Sequence, residues 1–222
     1  MRAVTLLVAI FAASTAVAAP GWKRVLSEEG ITVTSREVPG RGFPTFRGVG
    51  VVQANIFDVL AVLSDIKRHT EWMDRCAEAR LLRKINEREY IVYTRTDVPW
   101  PISDRDSVNR SKVDVDLARR EVNVRFWAVR SGLVGPVSGV VRMDRLRGHY
   151  KLTALDMTRT KVDYQVDADP GGLLPRWLAR LATRRLPLQT IRKLRGQVRR
   201  TRGWYRARIK RWLSEAAALA SK

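Results

Sequence analysis

Between Val108 and Val129 the chain alternates apolar with polar residues on both sides of a short turn. Val113, Val115 and Leu117 interleave with Lys112, Asp114 and Asp116, and Val122, Val124 and Phe126 repeat the pattern. Successive side chains of a strand point to opposite faces, so this pattern specifies two strands, each with one wet and one buried face. Such a sheet must be covered, and what covers it limits the possible folds. The same period recurs along most of the chain. Ile31–Ser35 alternates likewise, and Phe46–Gln53 follows a turn supplied by Gly40, Gly42 and Pro44. Ala79–Ile85 and Glu89–Thr96 flank the polar turn Asn86–Arg88. Val137–Leu155 reads as one long strand interrupted at Arg147-Gly148, and Thr158–Val166 closes the series. Strands joined by turns this short pair antiparallel, and this many in succession predict a strongly curved sheet.

The period changes twice. Ile56, Val59, Leu60, Val62 and Leu63 recur at helical spacing behind Asn55, a suitable N-cap, and a second short helical piece covers Lys67–Asp74. Asp169-Pro-Gly-Gly-Leu-Leu-Pro then marks a boundary. Beyond it Ile191, Leu194, Val198, Thr201, Tyr205, Ile209, Trp212 and Ala216 step by three or four, one face of a helix. A single helix over Leu188–Ala220 would be ~50 Å long. Pro187 suits its start. Gly196 and Gly203 lie off the stripe and weaken it by roughly 1 kcal/mol each relative to Ala. The expected class is α+β, in one domain, as 222 residues allow.

Charge is lopsided: 42 Lys and Arg oppose 22 Asp and Glu, and 15 of those cations with one acid, Glu215, follow Gly172. In this tail Arg199, Arg200, Arg208, Lys210 and Arg211 stand beside Trp204 and Trp212. Cations with interfacial aromatics suit an anionic membrane surface. A solvated cationic helix face is the plainer alternative, and phosphate contacts to nucleic acid are a third.

The first residues form a separate unit. Arg2, an apolar run from Val4 to Phe11, and Ala16-Val17-Ala18 together resemble a secretory leader over residues 1–19, cleaved near Ala18–Pro20. The rival is an uncleaved anchor, but Ala3–Ala19 is short for ~30 Å of hydrocarbon. Export to a periplasmic or other extracytoplasmic space is expected, which argues against a nucleic-acid partner. Cys76 is the single cysteine, so no internal disulfide forms. Only His69 and His149 accompany it, which speaks against a metal site, and no cofactor or nucleophile motif is present.

The order of elements is matched by specific residues. These are Gly30-Ile31-x-Val33-x-Ser35-Arg36, Phe46-Arg47-Gly48, Glu71-Trp72, Val92-Tyr93 and Pro99-Trp100-Pro101-x-x-Asp104-Arg105-Asp106, then Val141-Arg142, Thr160-x-Val162-x-Tyr164 and Asp169-Pro170-Gly171-Gly172-x-x-Pro175-x-Trp177. In this order they resemble the START lipid-transfer family over about residues 22 to 195. The resemblance implies a helix-grip fold, a curved antiparallel sheet wrapped around a long C-terminal helix, with an apolar cavity that holds one lipid. A solid core is the alternative that periodicity alone leaves open. The expected division is a lipid-binding domain over 20–195 and a basic amphipathic helical extension over 196–222.

On this resemblance the protein is a monomeric, non-enzymatic carrier that presents lipid at a membrane. Cavity candidates are Glu71, Trp72, Tyr93, Trp100, Arg105, Trp127, Arg142 and Trp177. For Glu71, Arg105 and Arg142 a ligand contact and a purely structural ion pair are both open, and Asp104 and Asp106 favour fixing a loop and a strand start. Asp169-Pro-Gly-Gly is expected to hinge a lid. Related helix-grip proteins include polyketide cyclases, so an enzyme remains a rival. It would need an acid or base in the cavity. The lipid itself is open: sterol, hopanoid, phospholipid, fatty acid or carotenoid-like.

Overall fold

The computed structural model describes residues 21–40, 43–172 and 184–220, with side chains as far as Glu215. The expected leader and Trp177 lie outside the described residues. Ten strands make one sheet: β1 (Lys23–Glu28), β2 (Ile31–Arg36), β3 (Thr45–Val52), β4 (Cys76–Asn86), β5 (Glu89–Thr96), β6 (Asp104–Asp116), β7 (Glu121–Ala128), β8 (Val140–Arg142), β9 (Leu146–Ala154) and β10 (Thr160–Ala168). Their order is β1-β2-β3-β10-β9-β7-β6-β5-β4, antiparallel throughout, and β8 pairs parallel with the start of β6. The helices are α1 (Ile56–Leu63), α2 (His69–Trp72), α3 (Leu186–Arg200) and α4 (Arg206–Ala220), with a 3-10 turn at Ile66–Arg68.

The α+β class and the curved antiparallel sheet are as expected. Asn55 caps α1 by accepting the Phe57 N–H at 2.9 Å, which satisfies one of the donors a helix start leaves free. Leu188, Ile191, Leu194 and Val198 of α3 are buried on the sheet, and each such side chain contributes about 1.5–3 kcal/mol. The helix comes this close because β3 carries Gly48 and Gly50 beneath it. A Cβ on Gly48 would sit 2.7 Å from Cβ of Pro187.

Three expectations are corrected. The long strand is two: β8 and β9 part at Met143–Arg145, not at Arg147-Gly148. Gly148 lies inside β9, where a Cβ would meet the Phe126 ring at 2.5 Å and the Gln165 carbonyl at 2.4 Å. Its glycine serves a close approach rather than a break. β1, which has no clean alternation, was not foreseen.

The C-terminal helix is also two. It stops at Arg200, turns through Thr201–Tyr205 and restarts at Arg206. Gly203 takes a φ of +82° in that turn, a conformation that disfavours side chains. Thr201 Oγ1 donates to the Gln197 carbonyl at 2.9 Å, and the Tyr205 hydroxyl is 2.9 Å from Asp65. The bend folds α4 back, so Ile209 and Trp212 pack on the core instead of projecting. A boundary at residue 195 therefore falls inside α3. Among the described residues no helix is long and apolar enough to cross a membrane.

Candidate functional site

Register decides which residues face the helices. Gly48 faces α3, and paired residues on neighbouring strands share a face. Gly48 pairs with Tyr164, Tyr164 with Tyr150, Tyr150 with Val124, and Val124 with Val113. Counting back along β6 in twos puts Ser111, Asn109, Ser107 and Arg105 on the same inner face. Their β5 partners Tyr90, Val92 and Thr94 lie beside Ser111, Asn109 and Ser107.

This inner face is apolar with a neutral polar strip. Thr94 and Ser107 hydroxyls lie 3.0 Å apart, and Asn109 Nδ2 donates to Ser107 Oγ at 2.8 Å. Asn109 is 7% exposed, yet among the described residues its Oδ1 has no partner. A buried acceptor left this way costs about 1–3 kcal/mol. Towards α3, the rings of Tyr150 and Tyr164 stack at 4.4 Å. Burial raises the pKa values of both hydroxyls. The surface so built is apolar around a neutral polar strip, with one acceptor unused among the described residues.

Arg105 ends the strip but is already engaged. Its guanidinium donates to the carbonyls of Ser103 (2.5 Å), Pro170 (3.2 Å) and Gly171 (3.4 Å). It latches the start of β6 to the Asp169–Gly172 turn, where Gly171 and Gly172 take φ of +62° and +66°. Asp169 accepts the Gly171 N–H at 3.0 Å. Asp104 accepts the Val98 N–H at 3.1 Å, fixing the β5–β6 loop.

The other candidates are dispersed. Glu71, on α2, bonds Arg68 (2.6 Å), Gln197 (3.1 Å) and Arg200 (3.3 Å), clamping α2 to α3 rather than meeting Arg105. Trp72 is a core residue edge-on to His69 at 5.6 Å. Tyr93, Trp127 and Arg142 belong to the opposite face. Tyr93 pairs with Val108 and Trp127 with Arg110, one step out of phase with Asn109, and Arg142 holds Asp106 there. Trp100 is 92% exposed at the β5–β6 loop. Its flanking prolines, Pro99 and Pro101, deny it a strand. Cys76 donates weakly to the Glu78 carbonyl, and burial pushes its thiol up to about 11, so it is inert.

Of the tail residues, Arg199, Lys210 and Arg211 are exposed and Arg208 is half-buried. The exposed Trp204 lies 4.7 Å from the Arg68 guanidinium. Thr94, Ser107, Asn109, Ser111, Tyr150 and Tyr164 were missed. Their signal was polar residues two apart on a strand whose next inward positions, Val113 and Val115, are apolar.

Known proteins share this arrangement. A profile of the START domain matches residues 7–202. An uncharacterized protein of Pseudomonas aeruginosa is 30% identical over 195 residues, covering 88% of this chain and 95% of the relative. Bovine phosphatidylcholine transfer protein is 26% identical over 172 residues, 76% of this chain and 80% of the relative. The crystal structure of a STAR-related lipid transfer protein fragment from Xanthomonas axonopodis superposes with a TM-score of 0.74 at 33% identity. It covers 81% of this chain and 99% of that fragment. With its ten-stranded sheet gripping α3 and a profile match over nearly its whole length, this chain belongs to the START domain family.

Proposed function

We propose that the protein binds one lipid against the inner face of the sheet, beneath α3, and carries it in an extracytoplasmic compartment to a bilayer. The observation that carries this reading is the orphaned Asn109 Oδ1 on an inner face otherwise covered by apolar side chains and satisfied hydroxyls. A lipid hydroxyl or N–H would meet that acceptor while its hydrocarbon gains ~25 cal/mol per Å² buried. The named relatives support lipid rather than a reaction. No described side chain on the strip is poised as an acid or base: Ser107, Asn109 and Ser111 are neutral, and Arg105 is spent on carbonyls.

The exposed Trp100 at the β5–β6 loop supplies a contact with the bilayer interface. It is adjacent in sequence to the strand that Arg105 ties to the Asp169–Gly172 turn, so membrane contact and lid release would occur at one end of the sheet. The test is native mass spectrometry of the purified protein with extraction of its lipid. A single bound lipid per chain is expected. Absence of lipid, together with no transfer of labelled lipids between vesicles, would overturn the reading.

A further inference from the structure

A cavity of about 270 Å³ lies between α1, α4 and the turn end of the β4–β5 hairpin, beyond Ser111 along the inner face. Its floor is apolar, with Leu60 of α1, Tyr90 of β5, Val113 and Val115 of β6, and Trp212 of α4. Its charged lining is Lys84, Arg88, Arg208 and Arg211 against one carboxylate, Glu87, which Lys84 engages. Among the described residues Arg88, Arg208 and Arg211 make no ion pair. Leu81, at the same cavity, is 48% exposed. Apolar floor and a cationic rim with one carboxylate against four cations are thus held together by the fold.

The wall contributed by α4 sets this cavity apart from the family's common framework. The START profile ends at residue 202, whereas Arg208, Arg211 and Trp212 come from the helix that follows. The bend at Thr201–Tyr205 and the Tyr205–Asp65 bond seat that helix over the hairpin. Three arginines without an ion pair among the described residues, Arg88, Arg208 and Arg211, raise the local anion concentration, and a hydrocarbon floor selects an anion with a chain.

We propose that this cavity is a second binding site, for a single acyl chain bearing an anionic head group, carboxylate or phosphate. The chain lies on Leu60, Val113 and Trp212, and the head group is held by Arg88, Arg208 and Arg211. The site lies under α4 rather than α3, at the opposite end of the inner-face strip from Arg105.

The experiment is calorimetric titration of the full chain with dodecyl phosphate below its micelle concentration. Dodecylphosphocholine, inorganic phosphate and phosphatidylglycerol vesicles serve as comparisons. Saturable binding of monomeric dodecyl phosphate is expected, at least tenfold tighter than either soluble comparison. The exposed-rim double variant Arg208→Gln/Arg211→Gln should weaken it at least tenfold, and Val115→Phe, which fills the cavity, should do the same with the arginines intact. Asn109→Leu should leave it unchanged, which separates this site from the one beneath α3. Equal binding in the double variant, loss in Asn109→Leu, or binding to vesicles alone would each overturn the proposal.

Discussion

Arg142 grips Asp106 through two hydrogen bonds, at 2.6 and 3.0 Å, on the face of the sheet turned away from α3. Asp106 is 1% exposed. A carboxylate so buried depends on its partner, and removing one member of a buried pair costs about 3–5 kcal/mol. Arg142→Leu is therefore expected to lower stability by about 3 kcal/mol in urea unfolding, with lipid occupancy of the folded fraction unchanged. Loss of lipid without loss of stability would put Arg142 at the ligand instead.

Asn109→Leu reverses that pattern. It removes an acceptor without a partner among the described residues together with the bond to Ser107, two changes of opposite sign, so stability should move by less than about 1 kcal/mol. Lipid retained through purification should fall severalfold when the bound species carries a hydroxyl or N–H. Quantifying extracted lipid per mole of folded protein measures this, and full retention would show that Asn109 Oδ1 is met by water.

Trp100→Ala concerns the membrane. An exposed loop residue contributes little to folding, within about 0.5 kcal/mol, so the melting temperature should hold. The initial rate of lipid transfer between vesicles should drop severalfold. An unchanged rate assigns membrane contact elsewhere.

His69 sets a pH dependence. Its Nε2 is 3.0 Å from the Leu63 carbonyl, Nδ1 has no partner among the described residues, and burial holds the imidazole below its usual value of 6.5. As pH falls, the unfolded chain takes up this proton before the folded one does. The contribution is whole above about pH 6.5 and is lost as pH falls through the unfolded value toward the lower folded one. Melting temperature should decline between pH 7 and pH 5, with a shallower decline in His69→Gln. His149, whose burial acts in the same direction, is separated by His149→Gln. An unaltered slope in His69→Gln would exclude His69 as the source.

Much of the fold was legible because strands declare themselves at a period of two. The pairs about Asn86–Arg88 and about Ala118–Arg120 needed only local information, as did the Asn55 cap. The helix bend was not legible. An apolar stripe through Val198, Thr201, Tyr205 and Ile209 fits one straight helix as well as two helices packed on a common core. What decides between them is Gly203 and the bond from Tyr205 to Asp65, a partner 140 positions away.

The site was less legible for a related reason. Period two says that Tyr93 and Val108 share a face, and that Val92 and Asn109 share the other. It does not say which face the helix covers, since both carry apolar residues here. That choice is made at Gly48 and Pro187, in segments remote from β5 and β6. Arg105 was ambiguous for the same cause, because two of its carbonyl partners come from Pro170 and Gly171.

The glycine contact of β3 also has a mechanical meaning. With no side chain between Gly48 and Pro187, α3 lies on that strand like a cover on the spine of a book. Movement there would open a void that nothing could fill. The far margin, at β5 and β6, has no such contact, and there Arg105 holds the Asp169–Gly172 turn. Two ties hold that turn, the Arg105 guanidinium and the Asp169 N–H bonded to the Arg145 carbonyl at 2.8 Å.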